Sequence, residues 1–170
     1  VADLTRLDHR LDSEALTCRA VIETPKGQRG KLAYDPACGA FELKRMLPDG
    51  MSFPLDFGFV PGTRGQDGDP LDILVLGDEP SPVGTLLTVR LIGVIEAEQT
   101  ENGRTVRNDR ILAVAAVSHL FAKVTKVEDL AADFIKNLTA FWENYDALRG
   151  VQFKVLAVRD GQAAMRLIKG

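Results

Sequence analysis

Cysteine and histidine are scarce in this sequence, with Cys18, Cys38, His9 and His119 the only ones. Neither pair has the spacing of a zinc or redox motif, and two thiols make no disulfide framework. His119 lies beside an apolar run and reads as structural. Basic charge is not in excess either: 21 Lys and Arg stand against 24 Asp and Glu, a net charge of -3. That balance argues against a protein built to grip a nucleic-acid backbone. It leaves a small anion open, because divalent metals bridge carboxylates to phosphates. No apolar run approaches the ~18–20 residues of a membrane helix, and no signal-peptide pattern is visible. The expectation is a cytoplasmic, reduced protein with no membrane or nucleic-acid partner. Two common catalytic signatures are also missing. Gly27-Gln28-Arg29-Gly30-Lys31 lacks the spacing and the Ser/Thr of a phosphate-binding loop, and no serine lies in Gly-x-Ser-x-Gly.

What remains is an ordinary globular balance, 45% hydrophobic and 26% charged over 170 residues. It argues against disorder and fits one domain spanning 1–170. Along the chain, Leu4, Leu7 and Leu11 fall at helical spacing, compatible with a short amphipathic helix or an irregular arm. Residues 17–23 alternate as a strand does. Residues 24–30 read as a loop, and 31–35 with 40–46 as a hairpin turning at 36–39. Residues 48–70, rich in glycine and proline, read as a long structured loop. Strands are expected at 73–76, 86–96, 110–117 and 151–158, with 97–109 a polar connection. The clearest helix begins at a capping-box pattern, Thr125-Lys126-Val127-Glu128. Leu130, Phe134, Leu138, Phe141, Trp142, Tyr145 and Leu148 form its stripe, and Gly150 ends it. Asp160 is placed to cap a short last helix. The fold class is α+β, mainly β: a small barrel with helices packed outside.

The most informative segment is Asp67-Gly68-Asp69-Pro70-Leu71-Asp72, directly before an apolar strand. Three carboxylates within six residues repel one another unless a cation joins them, and hard oxygen ligands suit a divalent metal. Gly68 allows a sharp turn and Pro70 stiffens it. The same composition also describes a solvated turn. An EF-hand fits poorly: counted from Asp67, Asp72 falls where glycine is required and Asp78 where glutamate is required.

This segment resembles the Asp-x-Asp-Pro-x-Asp signature of the family I soluble inorganic pyrophosphatases. The resemblance covers roughly residues 20–155. Val21-Ile22-Glu23-Thr24-Pro25 resembles the family's early strand. Lys31 and Arg45, fourteen positions apart, match its phosphate-binding pair. Phe53-Pro54-Leu55-Asp56-Phe57-Gly58-Phe59 is similar to its aromatic segment, and Tyr145 matches its phosphate-binding tyrosine. The resemblance implies a five-stranded, OB-like barrel with flanking helices. It implies hydrolysis of pyrophosphate at a multi-magnesium site, with Mn2+ or Zn2+ as possible substitutes. Asp67 and Asp72 become metal ligands, Asp69 also helps to activate the attacking water, and Lys31, Arg45, Arg110, Tyr145 and Phe57 contact substrate. Glu23 and Asp56 fall in the outer shell. A homo-oligomer, a hexamer in bacterial members, is implied as well.

Several positions depart from the family pattern. Ala33 stands where a glutamate is usual, Phe53 and Phe57 where tyrosines are, Asp56 where asparagine is, and Asp146 where lysine is. The family's Asp-x-Lys pattern is replaced by Asn108-Asp109-Arg110. Strict strand alternation puts Asn108 in the ligand position, whereas a bulge brings in Asp109. Glu98 and Glu101 are candidates for a remaining carboxylate. Losses at Ala33 and Asn108 beside gains at Asp56 and Asp146 suggest a rearranged site. Two further readings stay open: hydrolysis of another phosphoanhydride, such as a nucleotide or short polyphosphate, and a weakened metal-binding pseudoenzyme.

Overall fold

The computed structural model describes residues 2–170. In chain order it has strands β1 (Thr17–Thr24), β2 (Gly30–Asp35), β3 (Ala40–Met46), β4 (Asp56–Val60), β5 (Leu71–Leu76), β6 (Leu86–Glu101), β7 (Arg104–Arg107) and β8 (Arg110–Ala115). Helix α1 (Phe134–Ala147), strand β9 (Gln152–Asp160) and helix α2 (Gly161–Lys169) follow. Five strands close into a ring, β1-β4-β5-β8-β6, with β6 pairing back onto β1. β5 and β8 run parallel, and the other four contacts of the ring are antiparallel. β7 and β9 extend the sheet along β6, while β2 and β3 form a separate hairpin.

Ring strands are apolar on both faces because both faces are covered. Ile73 and Val75 join Ile22, Val89, Leu91, Ile111 and Ala113 in one cluster, sealed by Ala164 and Ile168 of α2. Their neighbours Leu74, Leu76, Leu112 and Val114 point the other way, into a cluster with Leu138, Trp142 and Tyr145 of α1. Burying each large side chain of that helical stripe contributes about 1.5–3 kcal/mol. Asp160 accepts the amide of Ala163 at 3.0 Å and caps α2, as its position in the sequence suggests. The 31–35/40–46 hairpin is also found, one residue longer at its start.

Three expectations are corrected. Residues 48–70 are not all loop, since β4 lies within them. Gly58 looked like a loop residue, yet a Cβ there would lie 1.9 Å from the Val21 carbonyl oxygen. Its role is close approach of β1 to β4. The polar stretch 97–109 is a hairpin in which β6 runs on to Glu101 and turns through Asn102 and Gly103, both at positive φ. The helix starts at Phe134 rather than at Thr125. Before it, a 3-10 turn (Val127–Asp129) forms because the Asp129 carboxylate takes the amides of Thr125 and Lys126. The N-terminal segment proves to be the irregular arm, with one 3-10 turn (Leu4–Arg6) capped by Asp3.

Candidate active site

Strands β1 to β6 and β8, the loop before β5, and helix α1 contribute to the wall of an open cavity of about 790 Å³. Glu23, Lys31, Arg45, Phe57, Asp67, Asp69, Asp72, Asn108, Arg110 and Tyr145 all line it. Local geometry explains the convergence. Lys31 and Arg45 are direct partners across the β2–β3 hairpin, at a bulge. Asp72 and Arg110 are partners across the parallel β5–β8 pair. Tyr145 lies one helical turn after Trp142, which lines the same cavity. The aspartate loop turns sharply at Gly68, where φ is +89°, and the Asp67 carboxylate accepts the Asp69 amide at 3.1 Å.

The cavity wall carries both signs of charge, with Asp72 beside Arg110. Asp67 and Asp69 are exposed and Asp72 lies deeper. Glu23 is buried and accepts the Tyr34 amide at 2.7 Å. Burial pushes the Asp72 carboxyl up to about 7; Arg110 and Lys31 oppose the rise, and Glu23 and Asp67 add to it. Burial likewise raises Glu23 and Asp67 above the usual carboxylate range. Among the described residues, Arg45 and Arg110 each keep one buried guanidinium nitrogen with no partner (Nη1 and Nε). Like charges directly opposite on a hairpin destabilise it, and Lys31 beside Arg45 is a pair that a bound anion would relieve. Arg110 packs against two rings, its Cζ 4.2 Å from the Trp142 ring centroid and 4.8 Å from that of Phe153. Its Nη1 donates to the Asn108 carbonyl at 2.9 Å.

Among the described residues, no three His, Cys, Asp or Glu side chains are gathered into a ready-made cation site. The donor set nevertheless fits a divalent cation in its chemistry. It offers hard oxygens only, and burial holds the Asp67 and Asp72 carboxyls above their ordinary values, so that a cation there would favour their charged form. Asp67, Asp72 and the side-chain oxygen of Asn108 are the groups that would be drawn onto it.

Two anticipated residues lie outside the cavity. Asp109 sits in the link between β7 and β8 and is turned to the sheet: its carboxylate accepts the Ala97 amide at 3.0 Å and pairs with Arg107 at 3.0 Å. Asp56 is spent on structure, accepting the amides of Lys26 at 2.8 Å and Ser81 at 3.0 Å. It therefore does not compensate for carboxylates lost from the site. Ala33 does line the cavity, with only a methyl group. Sequence reasoning missed Gln99, Trp142 and Arg149, which also line it. Carrying β6 through the polar stretch would have found Gln99, which shares a face with Ile95 and Ala97; Glu98 and Glu101 are absent from the lining. Helical spacing from Tyr145 would have found the other two.

A family profile described as inorganic pyrophosphatase matches residues 20–170. The chain is 34% identical over 152 residues to the inorganic pyrophosphatase of Thermus thermophilus, covering 88% of this chain and 85% of that protein. It is 31% identical to the inorganic pyrophosphatase of a Synechocystis species, covering 98% and 95% respectively. The crystal structure of the Thermus thermophilus enzyme superposes with a TM-score of 0.89 at 32% identity, over 99% of this chain and 95% of that one. Residues, geometry and relatives agree, and the chain belongs to the inorganic pyrophosphatase family.

Proposed function

We propose that this chain hydrolyses inorganic pyrophosphate to two orthophosphates with magnesium. One observation carries the reading: a carboxylate cluster and two unpartnered guanidinium nitrogens share one open cavity. Pyrophosphate needs both, because its charge must be masked before water attacks phosphorus. Lys31, Arg45 and Arg110 hold phosphoryl oxygens, and Tyr145 donates its phenol to the same group. Phe57 has no hydroxyl to donate and instead supports Lys31 through its ring face. Asp67, Asp72 and Asn108 would hold magnesium, which when bound supplies charge neutralisation and acidifies water. Asp69, exposed at the cavity mouth, accepts the proton that the attacking water gives up. Water adds to one phosphorus, the bridging P–O bond breaks, and the second phosphate leaves towards the basic side chains. Glu23 favours the charged form of Lys31.

Ala33 and the neutral amides of Gln99 and Asn108 leave the cavity with less negative charge than the family pattern implies. They favour, as a second reading, a larger phosphoanhydride bound with fewer cations. Phosphate release from pyrophosphate, short polyphosphate and nucleoside triphosphates, each titrated with magnesium, tests both. Preference for pyrophosphate supports the first reading, and preference for a longer substrate replaces it with the second.

A further inference from the structure

A chain of hydrogen bonds runs from the interior of α1 to the cavity wall. The Asp146 carboxylate is fully buried. One of its oxygens accepts from the Arg149 guanidinium at 3.1 Å, the other from the Gln99 side-chain nitrogen at 2.7 Å. The Gln99 oxygen in turn accepts from the Asn108 side-chain nitrogen at 3.0 Å. Direction along this chain is dictated chemically. A carboxylate only accepts, so Gln99 must turn its amide nitrogen towards Asp146; the reverse would set two oxygens against each other at that short distance. Gln99 then has only its carbonyl to offer Asn108, which must meet it with nitrogen. Among the described residues no side chain or backbone donor reaches the Asn108 side-chain oxygen, and Asn108 lines the cavity.

We propose that Asp146 is a positioning residue that sets the polarity of the Gln99–Asn108 amide pair and thereby presents the Asn108 carbonyl oxygen to a divalent cation. The inference rests on the cation-binding part of the proposed function. It accounts for two departures together: an acid at 146 and an amide at 108 need each other. With Asp146 in place, a carboxylate at 108 would meet the Gln99 oxygen. With a neutral partner at 146, Gln99 is free to turn and donate to that carboxylate.

The test is a double-mutant cycle on the full chain, read as Mn2+ affinity by electron paramagnetic resonance and isothermal titration. Its members are the parent, Asp146→Asn, Asn108→Asp and the double variant, with circular dichroism and thermal melting confirming the fold. Asp146→Asn is expected to weaken Mn2+ binding about tenfold, the usual scale for losing a group that orients a ligand. Asn108→Asp is expected to strengthen binding several-fold more in the Asp146→Asn background than in the parent. Equal factors in the two backgrounds make Asp146 merely structural and overturn the proposal. So does a parent chain that binds no Mn2+. Mn2+ binding with the expected coupling but no pyrophosphate turnover supports the relay and removes the catalytic reading, so the two fail separately.

Discussion

The ammonium nitrogen of Lys31 stands 3.5 Å from the centroid of the Phe57 ring. The contact explains how a phenylalanine serves where the family pattern has a tyrosine: the ring face, not a hydroxyl, holds the lysine in place. Burial draws the Lys31 ammonium down to about 8; Glu23 and Asp72 resist this, and Arg110 and Arg45 reinforce it. The charged form is present below that pH and lost above it. The KM for pyrophosphate is therefore expected to rise as pH passes through about 8, with kcat moving less. Phe57→Leu removes the ring that favours the cation, and the rise should begin at lower pH. Steady-state kinetics across that range check both; a flat KM contradicts the role given to Lys31.

The Arg110 guanidinium packs against the rings of both Trp142 and Phe153. Arg110→Lys keeps the charge but loses the stacking and the fixed fork of donors. Losing a charge-assisted hydrogen bond costs about 1.5–3 kcal/mol, so kcat/KM is expected to fall roughly 10- to 150-fold. Steady-state kinetics of that variant give the number. A change below threefold means that Arg110 does not hold substrate.

Gly58 sits against the backbone of β1. The Cβ of Gly58→Ala would meet the Val21 oxygen at 1.9 Å, so β1 and β4, neighbours in the ring, must separate. Overpacking of this kind costs about 1–3 kcal/mol, and chemical denaturation should show a loss at or above the upper end. An unchanged midpoint would mean that the ring yields there without cost.

The thiols should separate cleanly. Burial pushes Cys18 up to about 12, while Cys38 is exposed on the β2–β3 turn. A disulfide reagent should titrate one thiol in the native protein, lost in Cys38→Ser, and a second only after denaturation. Rapid reaction of both in the native protein would place Cys18 outside the core.

Local signals were legible in the sequence, and tertiary ones were not. Asp160, the 31–35/40–46 hairpin and the Trp142–Tyr145 stripe declare themselves through capping, turn residues and period. β4 was hidden because Gly58 and Pro54 mark loops locally, whereas Gly58 answers to a neighbouring strand. The start of α1 was misplaced because Asp129, not Glu128, closes the turn on the Thr125 and Lys126 amides. Motif and resemblance point to residues that do line the cavity, Asp109 and Asp56 excepted, but not to the rest of its wall. Alternation favoured Asn108 over Asp109 only if both lay in a strand; they form the link between β7 and β8, and it is the bonds of the Asp109 carboxylate to Ala97 and Arg107 that keep it out of the cavity. Gln99 required knowing that β6 continues, and the fate of Asp56 required knowing which amides it meets.

Phosphate release from pyrophosphate, measured with magnesium, with magnesium chelated, and for Asp69→Asn, tests the central claim most directly. The account expects turnover with magnesium, none after chelation, and at least a 100-fold loss in the variant, since general-base groups contribute about 10²–10⁴-fold. No phosphate release by the parent at any magnesium concentration, or an Asp69→Asn variant as active as the parent, contradicts it.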